Sequence, residues 1–273
     1  MTLKEYNFHS KDNTRLFARH WCPPGRVKGT VGIIHGIGDH SGRYANWAEC
    51  FCQQQYEVFA IDYRGHGEAE GLRGHVNTLE ELFDDISAFF SLIRDKKRGE
   101  SLIIYGHSMG GNLVLNYLLS GYNSFDRAIV TSPWIELVKP PAGFVIKLAS
   151  ALNNIVPKFR IKNGIHSSQL SQVDKEREQA GKDEKLHNWV SVRLFNLLYI
   201  SGIELLANKS QISIPLLLLH GKDDKITSLR ATKAFSNQQA NAEFIDYSNA
   251  LHELHREPQR EQVLQDIIDW IEV

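Results

Sequence analysis

The stretch LIIYGHSMGGNLVLNYLL, residues 102–119, decides the fold. Its first half is an apolar run that ends at Gly106, and its second half is apolar again but with helical periodicity. Ser108 stands at the junction, with Gly106 two positions before it and Gly110 two positions after it. This is the pattern G-x-S-x-G between a strand and a helix, the context in which the pattern indicates a nucleophilic serine.

The glycines have a physical reason to be there. A sharp strand-to-helix turn forces its central residue into a strained backbone conformation, and nearby backbone leaves no room for side chains two positions away. The serine hydroxyl then stands above the sheet, beside a helix N-terminus whose N–H groups favour a developing anion. We expect this helix to begin at about Asn112. An ordinary tight turn can carry the same pattern, but the flanking elements favour the catalytic interpretation.

Strands and helices alternate on both sides of this turn. Residues 3–21 predict an antiparallel hairpin, and buried strands follow at 30–36 and 56–67. The next helix starts with a capping box of Thr78 and Glu81. Alternating units of this kind predict an α/β fold with a mostly parallel sheet and helices on both faces. We assign residues 1–133 and 213–273 to this core.

Residues 134–212 differ from the core because they are helical in texture and rich in proline and charge. They predict a helical cap inserted between two strands, over the strand ends where ligands bind in such sheets. Within the cap, AGFVIKLASALNNIV at 142–156 is an apolar helix. It either covers the core or forms a lid that lines an acyl tunnel and transiently touches membranes or lipid aggregates. The sequence leaves both alternatives open.

Composition narrows the classes of partner. The 273 residues include 31 Lys and Arg against 32 Asp and Glu, a formal charge of −1, so nothing favours a nucleic-acid partner. The cysteines at 22, 50 and 52 form no CxxC pair and suit a reducing compartment. No segment resembles a signal peptide or a membrane span, so we expect a cytoplasmic protein. The oligomeric state is not predicted.

A serine nucleophile needs a base, and the base needs an acid that orients it. In a sheet of this kind the three groups follow in the order serine, acid, histidine. The acid is Asp223 or Asp224 after the late strand PLLLLHG, and the base is His252 or His255 in NALHELH. Position alone does not choose within either pair. A zinc site on the two histidines is disfavoured because neither H-E-x-x-H spacing nor a nearby cysteine is present.

The oxyanion of the tetrahedral intermediate needs backbone donors. One is expected at Met109, directly after the nucleophile, and the other in the loop HGIGDHSGRY at 35–44, where Ile37 is our candidate. The same glycines raise a competing hypothesis, a dinucleotide-binding turn with Asp62 as the ribose ligand. Their spacing is G-x-G-x-x-x-G, one residue longer than that turn requires, so this hypothesis is disfavoured.

These motifs together resemble the monoacylglycerol lipase family of α/β-hydrolases, which includes lysophospholipase-like enzymes. The resemblance extends over nearly the whole chain, through HGIGDHSGRY, DYRGHGEAEGLRGH, GHSMGG, SSQLS, LLLLHGKDDKI and LHELHREP. It implies Asp224 as the acid and His252 as the base, and it places Ile37 and Met109 on the oxyanion donors. It also implies that Arg43, Tyr44 and His107 line a polar pocket for the substrate alcohol.

Two departures from the family pattern concern the alcohol. Ala69 replaces a serine usual in the GHG turn, and the cap has Ala180 and Glu184 where the family has a tyrosine and the proline of a DP pair. In the family that tyrosine helps to hold glycerol. The departures therefore bear on the choice of alcohol and leave ester hydrolysis untouched.

The resulting hypothesis is a serine hydrolase of carboxylic esters that needs no metal or cofactor. Its expected substrate is a small lipid ester, a monoacylglycerol or a related single-chain ester. Alternatives are a lysophospholipase, a short-chain carboxylesterase and, less favoured, an aminopeptidase or amidase on the same fold. A binding protein without activity is disfavoured because nucleophile, acid and base are all present in order.

Overall fold

The computed structural model describes all residues, 1–273, and is built around an eight-stranded sheet in the order β1-β2-β4-β3-β5-β6-β9-β10. Its strands are β1 (Thr2–His9), β2 (Arg15–Cys22), β3 (Gly29–Ile34), β4 (Tyr56–Asp62), β5 (Ser101–His107), β6 (Arg127–Thr131), β9 (Leu216–Gly221) and β10 (Ala242–Tyr247). The hairpin β1–β2 and the pair β2–β4 are antiparallel, and every other pair is parallel. The predicted hairpin and mostly parallel sheet are confirmed.

Helices cover both faces of the sheet, because the parallel strands are apolar on both sides. The helices of the core are α1 (Ala45–Gln53), α2 (Leu79–Lys96), α3 (Met109–Leu119), α8 (Leu229–Ser236) and α9 (Arg260–Glu272). One apolar cluster joins the sheet to α1 and α9, and a second joins it to α2, α3 and α8. Fully buried aromatic residues such as Phe51 and Phe90 anchor the two clusters. Each such side chain stabilises the fold by about 1.5–3 kcal/mol through burial.

Two local predictions can be compared with the structure. Helix α2 has Thr78 as its N-cap, and the Thr78 hydroxyl accepts a hydrogen bond from the Glu81 N–H, as expected. The return bond of the predicted capping box differs, because the Glu81 carboxylate accepts from the N–H of Asn77 rather than from that of Thr78. Helix α3 begins at Met109, three residues before the expected start at Asn112. The turn at Ser108 therefore passes into the helix without an intervening loop.

The region between β6 and β9 contributes no strand to the main sheet. It contains α4 (Gly143–Ile155), α5 (Ser167–Leu170), α6 (Asp174–Lys182) and α7 (Val192–Ala207), with the short strands β7 (Arg160–Lys162) and β8 (Trp189–Ser191). The antiparallel pair β7–β8 was not predicted. We keep the name cap for residues 134–212, and its treatment as a separate unit stays a prediction. No helix anywhere in the chain combines the length and apolar character that a bilayer crossing demands.

The strand order fixes where a site can form. The chain passes from β3 to β4 on one side and then returns to β5 on the other side of β3. The loops after β3 and β5 therefore leave the sheet in opposite directions and open a crevice at the strand ends. Ile37 lies in the first of these loops and Ser108 directly follows β5.

Candidate active site

Ser108 occupies a strained position at the base of the crevice. Its backbone has φ +55° and ψ −117°, a left-handed conformation that side chains rarely adopt. A Cβ added at Gly110 would lie 2.1 Å from the carbonyl oxygen of Ile34, and one at Gly106 would lie 2.5 Å from that of Gly110. Only glycine fits at these two positions, as the sequence predicted.

The structure brings Asp224 and His252 together. The Nδ1 atom of His252 lies 2.7 Å from Oδ2 of Asp224, and both side chains are buried. Asp224 follows β9 and His252 follows β10, so adjacent parallel strands deliver them to the same edge of the sheet. The Asp224 carboxylate also accepts from the Thr227 hydroxyl and from the N–H groups of Ile226 and Thr227.

The environment of Asp224 and His252 determines the protonation states of the two side chains. Burial by itself would raise the pKa of Asp224, but the His252 ring and the hydrogen bonds from His220 and His252 hold that pKa well below its usual range. Burial by itself would lower the pKa of His252, and the Asp224 carboxylate raises it above the ordinary histidine value. An ionised Asp224 therefore stabilises a proton on His252, which is what a base in acyl transfer requires.

The alternatives at these two positions have different surroundings. Asp223 is exposed and its carboxylate contacts no histidine. His255 is buried, and neither of its ring nitrogens has a hydrogen-bond partner. Its ring stacks on Tyr44 at a centroid distance of 4.8 Å. Of the two pairs, only Asp224 and His252 form a hydrogen-bonded couple.

Ser108 and His252 line one cleft of about 460 Å³, together with Ile37, His107 and Arg43. No hydrogen bond joins the Ser108 hydroxyl to His252 in this structure. Such contacts are commonly long in the absence of substrate and tighten when it binds. The cleft thus brings nucleophile and base to one wall, with the acid behind the base.

The two expected oxyanion donors flank Ser108. A Cβ on Gly36 would lie 3.2 Å from Cβ of Ser108, so the loop after β3 runs directly against the nucleophile. The N–H of Ile37, the next residue, has no hydrogen-bond partner within the protein. Met109 is the first residue of α3, where a helix cannot satisfy its own N–H groups. Both residues therefore lie close to Ser108, and their role as oxyanion donors stays a prediction.

Of the three residues expected to line an alcohol pocket, Arg43 and His107 reach the cleft. The Arg43 guanidinium bridges Asp39, at 3.1 Å, and both carboxylate oxygens of Glu253, at 2.9 and 3.0 Å. The His107 ring lies 4.8 Å from that of His252, and burial lowers its pKa well below the ordinary value.

Tyr44 does not reach the cleft. It is fully buried behind this wall, where it stacks on His255, and its hydroxyl has no partner. The structure gives this ring a packing position, and its expected contact with substrate stays a prediction.

Sequence reasoning missed how the cap closes the site. We call residues 187–191 the strap, because they cross two glycine loops of the core. The N–H of His187 donates to the carbonyl of Gly38 at 3.0 Å, and that of Ser191 donates to Gly74 at 2.8 Å. Added Cβ atoms at Gly38 and Gly74 would lie 1.9 and 2.0 Å from strap carbonyl oxygens. The only signal in the sequence was the density of glycines in these loops.

A second attachment ties the cap to the loop that carries His252. Arg256 is paired with Glu176 of α6 and donates to the carbonyl of Arg43. The N–H of Glu253 donates to Leu170 at 2.8 Å, and the Ser171 hydroxyl donates to the carbonyl of Arg256 at 2.9 Å. The position of the cap and the position of the histidine loop are therefore mechanically linked.

Helix α4, for which the sequence left open a cover over the core or a lid lining an acyl tunnel, does not line the cleft at Ser108. No residue of α4 is buried or lines the cleft, and Phe144 and Ile155 are 74% and 75% exposed. The helix packs on α7 through contacts such as the Asn196 amide, which donates to Ala149. Phe144, Leu148 and Ile155 are exposed to solvent, whereas Ile146 and Leu152 are half-buried.

One cluster in the chain has metal-ligand spacing, His20, Cys22 and Glu57, and it lies away from the cleft near the start of β4. Both Glu57 oxygens are already used, one by the His20 ring and the other by Thr30 and the N–H groups of residues 98 and 99. A metal would have to replace this network, so these residues fit a structural role.

Comparisons with known proteins agree with this architecture. The model of the Hydrolase_4 family, described as Serine aminopeptidase, S33, matches residues 25–259. An uncharacterized abhydrolase domain-containing protein of Dictyostelium discoideum is 32% identical over 99% of this chain, which spans 29% of that longer protein. The monoacylglycerol lipase of Mycolicibacterium smegmatis is 25% identical over 99% of this chain and 97% of its own length. The crystal structure of Paleococcus ferrophilus monoacylglycerol lipase superposes with a TM-score of 0.80 at 26% identity, covering 99% and 98% of the two chains. The α/β-hydrolase fold predicted from the sequence is confirmed.

Proposed function

The chain belongs to the Hydrolase_4 family, and on this premise we propose that it hydrolyses single-chain lipid esters through Ser108, His252 and Asp224. It is a carboxylic-ester hydrolase of the monoglyceride lipase-like type. The observation that carries the assignment of residues is the 2.7 Å contact between His252 and Asp224, beside a strained serine in the same cleft. We propose a core of residues 1–133 and 213–273, with the cap of residues 134–212 above it.

The mechanism has two steps. Ser108 attacks the ester carbonyl while His252 takes the hydroxyl proton, and the N–H groups of Ile37 and Met109 stabilise the tetrahedral oxyanion. The protonated His252 then gives its proton to the leaving alcohol, and an acyl-enzyme remains. Water attacks this ester with His252 again as base, which releases the acid and restores Ser108. Asp224 holds the imidazole in the required tautomer throughout.

A monoacylglycerol is the first candidate substrate, because relatives that align over nearly their whole length carry that activity in their names. A lysophospholipid and a short-chain ester follow. Burial alone would raise the pKa of Asp39, but Arg43 and nearby groups keep it well below its usual range, so this residue adds a carboxylate to the cleft. Arg43 stands beside it as a donor to ester or alcohol oxygens.

An aminopeptidase is the second candidate, and two observations favour it. The family description names such an enzyme, and the Oδ2 atom of Asp39 is buried at the cleft without a hydrogen-bond partner. A free α-amine could pair with that oxygen. The other acids near the cleft, Asp183 and Glu253, are already held by His40 and Arg43.

The deciding experiment combines labelling with turnover. A fluorophosphonate probe should label the wild-type protein at Ser108 and leave Ser108→Ala unlabelled. A monoacylglycerol, the matching lysophosphatidylcholine, a p-nitrophenyl ester and an aminoacyl arylamide should then be compared for kcat/KM. Ester turnover that persists in Ser108→Ala would disprove the assignment of the nucleophile. Turnover of the arylamide alone would replace the esterase by the aminopeptidase.

A further inference from the structure

A second cleft adjoins the one that holds Ser108. It has a volume of about 450 Å³ and shares three lining residues with the first cleft, Arg43, Ala180 and Asp183. Its remaining walls include Arg19, Asn46, Gln179 and Lys185. Both volumes fall within the range of small-molecule sites in proteins. The two clefts together are larger than the space needed for a glycerol leaving group at Ser108.

Of the three shared residues, two are fixed in place. Arg43 is held by Asp39 and by both oxygens of Glu253, and Asp183 Oδ2 lies 2.8 Å from Nε2 of His40. Ala180 is the third, and its side chain is a single methyl group on α6. Because Ala180 lines both clefts, a larger residue at position 180 would project into the wall that the clefts share.

The cationic side chains that line the second cleft are each paired with a carboxylate of the protein. Arg19 lies 3.2 Å from Glu5, Lys185 is paired with Glu68, and Arg256, which also lines this cleft, is paired with Glu176. A phosphate would have to compete with these carboxylates, and no cation there is left without one. An anionic group is therefore a poor match.

Uncharged hydroxyl groups fit the second cleft better. The side-chain amides of Asn46 and Gln179 make no hydrogen bond to the protein, and each offers both donors and an acceptor. The Asp183 carboxylate has one partner on each oxygen, His40 at Oδ2 and the Lys185 N–H at Oδ1, and each oxygen keeps a lone pair for an incoming donor. Hydroxyls both donate and accept, so a polyol can use amides and carboxylates of this kind together.

We infer that the second cleft is a subsite for the distal hydroxyls of a leaving alcohol larger than glycerol, such as a hexose or a glycosylated glycerol. Hereafter this cleft, lined by Asn46, Gln179, Ala180 and Asp183, is the polyol subsite. The inference rests on the proposed function, because it places the ester bond of the substrate at Ser108. It assigns the polar cap wall to alcohol recognition and predicts that the enzyme prefers sugar esters of a given acid over simple alkyl esters.

The test uses four esters of one acid, so that only the alcohol differs: methyl octanoate, monooctanoylglycerol, octanoyl glucose and octanoylglycerol phosphate. We expect kcat/KM of the wild-type protein to be about tenfold or more higher for octanoyl glucose than for methyl octanoate. A higher value for octanoylglycerol phosphate than for octanoyl glucose would overturn the polyol assignment. Equal values for octanoyl glucose and methyl octanoate would overturn the subsite itself.

Variants on α6 test whether the size of residue 180 limits access to the second cleft. In Ala180→Phe we expect the ratio of kcat/KM for octanoyl glucose to that for methyl octanoate to fall about tenfold. Glu178→Phe is the matched control, since residue 178 is exposed on the same helix and lines neither cleft, and it should keep the wild-type ratio. A fall of the same size in both variants would contradict the inference. If Ala180→Phe fails to fold, Gln179→Ala should lower the same ratio about threefold, and an unchanged ratio would count against the subsite.

The same panel separates this inference from the proposed function. Hydrolysis of methyl octanoate that vanishes in Ser108→Ala supports the proposed function whatever the alcohol preference is. If that hydrolysis is present and no preference for the sugar ester exists, only the polyol subsite is wrong. If no ester in the panel is hydrolysed through Ser108, the proposed function itself has failed.

Discussion

Replacing Gly38 by alanine should separate the strap from the core. Gly38 has φ +73°, and an added Cβ would lie 1.9 Å from the carbonyl oxygen of His187. Gly164 has the same φ of +73° with nothing within 4 Å of an added Cβ. Gly164→Ala therefore reports the backbone strain alone, whereas Gly38→Ala reports the strain together with the collision.

The magnitudes can be worked from these contacts. An alanine in the left-handed conformation costs roughly 1–2 kcal/mol, and the loss of chain entropy in the unfolded state returns roughly 0.4–1 kcal/mol. Gly164→Ala should therefore lower the free energy of unfolding by about 1 kcal/mol. At Gly38 the collision adds roughly 1–3 kcal/mol of overpacking and about 1 kcal/mol for the strained hydrogen bond from His187. The total for Gly38→Ala is about 4 kcal/mol.

Urea unfolding of the two variants gives the stability difference, and kcat/KM on a p-nitrophenyl ester reports the site. Because Ile37 directly precedes Gly38, we expect Gly38→Ala to lower kcat by about 10²–10³ through a displaced oxyanion donor. Gly164→Ala should leave kcat near the wild-type value. Equal losses of stability in the two variants would refute the reasoning, since the strap would then not press on Gly38.

Two further predictions follow from buried charges. The Asp224 carboxylate raises the pKa of His252, and His252 acts as a base only when it is neutral. We therefore expect kcat/KM to fall with decreasing pH around a midpoint above 6.5, and a midpoint below that value would contradict the pairing. Asp224→Asn should lower kcat about 10⁴-fold. Arg256→Met leaves the buried Glu176 carboxylate without its partner and should lower the free energy of unfolding by about 3–5 kcal/mol. In urea unfolding, the double variant Arg256→Met/Glu176→Leu should recover most of the lost free energy of unfolding. A double variant as unstable as Arg256→Met alone would contradict the ion pair.

Features set by neighbouring residues were predictable from the sequence. The N-cap at Thr78 and the turn at Ser108 depend on residues within a few positions, so their patterns are visible in one stretch of chain. The start of α3 was misjudged because Gly110 and Gly111 resemble a loop. In the structure Gly110 lies in the helix, against the carbonyl of Ile34, and close packing there excludes any side chain.

Features set by distant residues were not predictable. The strap depends on the meeting of residues 187–191 with glycines more than a hundred positions earlier, and no local pattern encodes that contact. The burial of Tyr44 is of the same kind, since His255 comes from the far end of the chain. The amphipathic pattern of α4 predicted a helix correctly, but periodicity alone does not reveal what covers the apolar face, and Phe144 is left exposed.

The insertion of the cap between two paired strands has a consequence for how the domain assembles. β6 and β9 are hydrogen-bonded neighbours, with Ala128 opposite Leu216, although residues 132–215 separate them. Closing a loop of that size is slow, because the strands must find each other across a long stretch of chain. The free-energy cost of closing the loop depends only weakly on its length, since doubling such a loop adds only about 0.6 kcal/mol of closure entropy. Insertions of very different size can therefore be accommodated between β6 and β9. The cap over Ser108 can thus be replaced during evolution while the strands of the sheet keep their register.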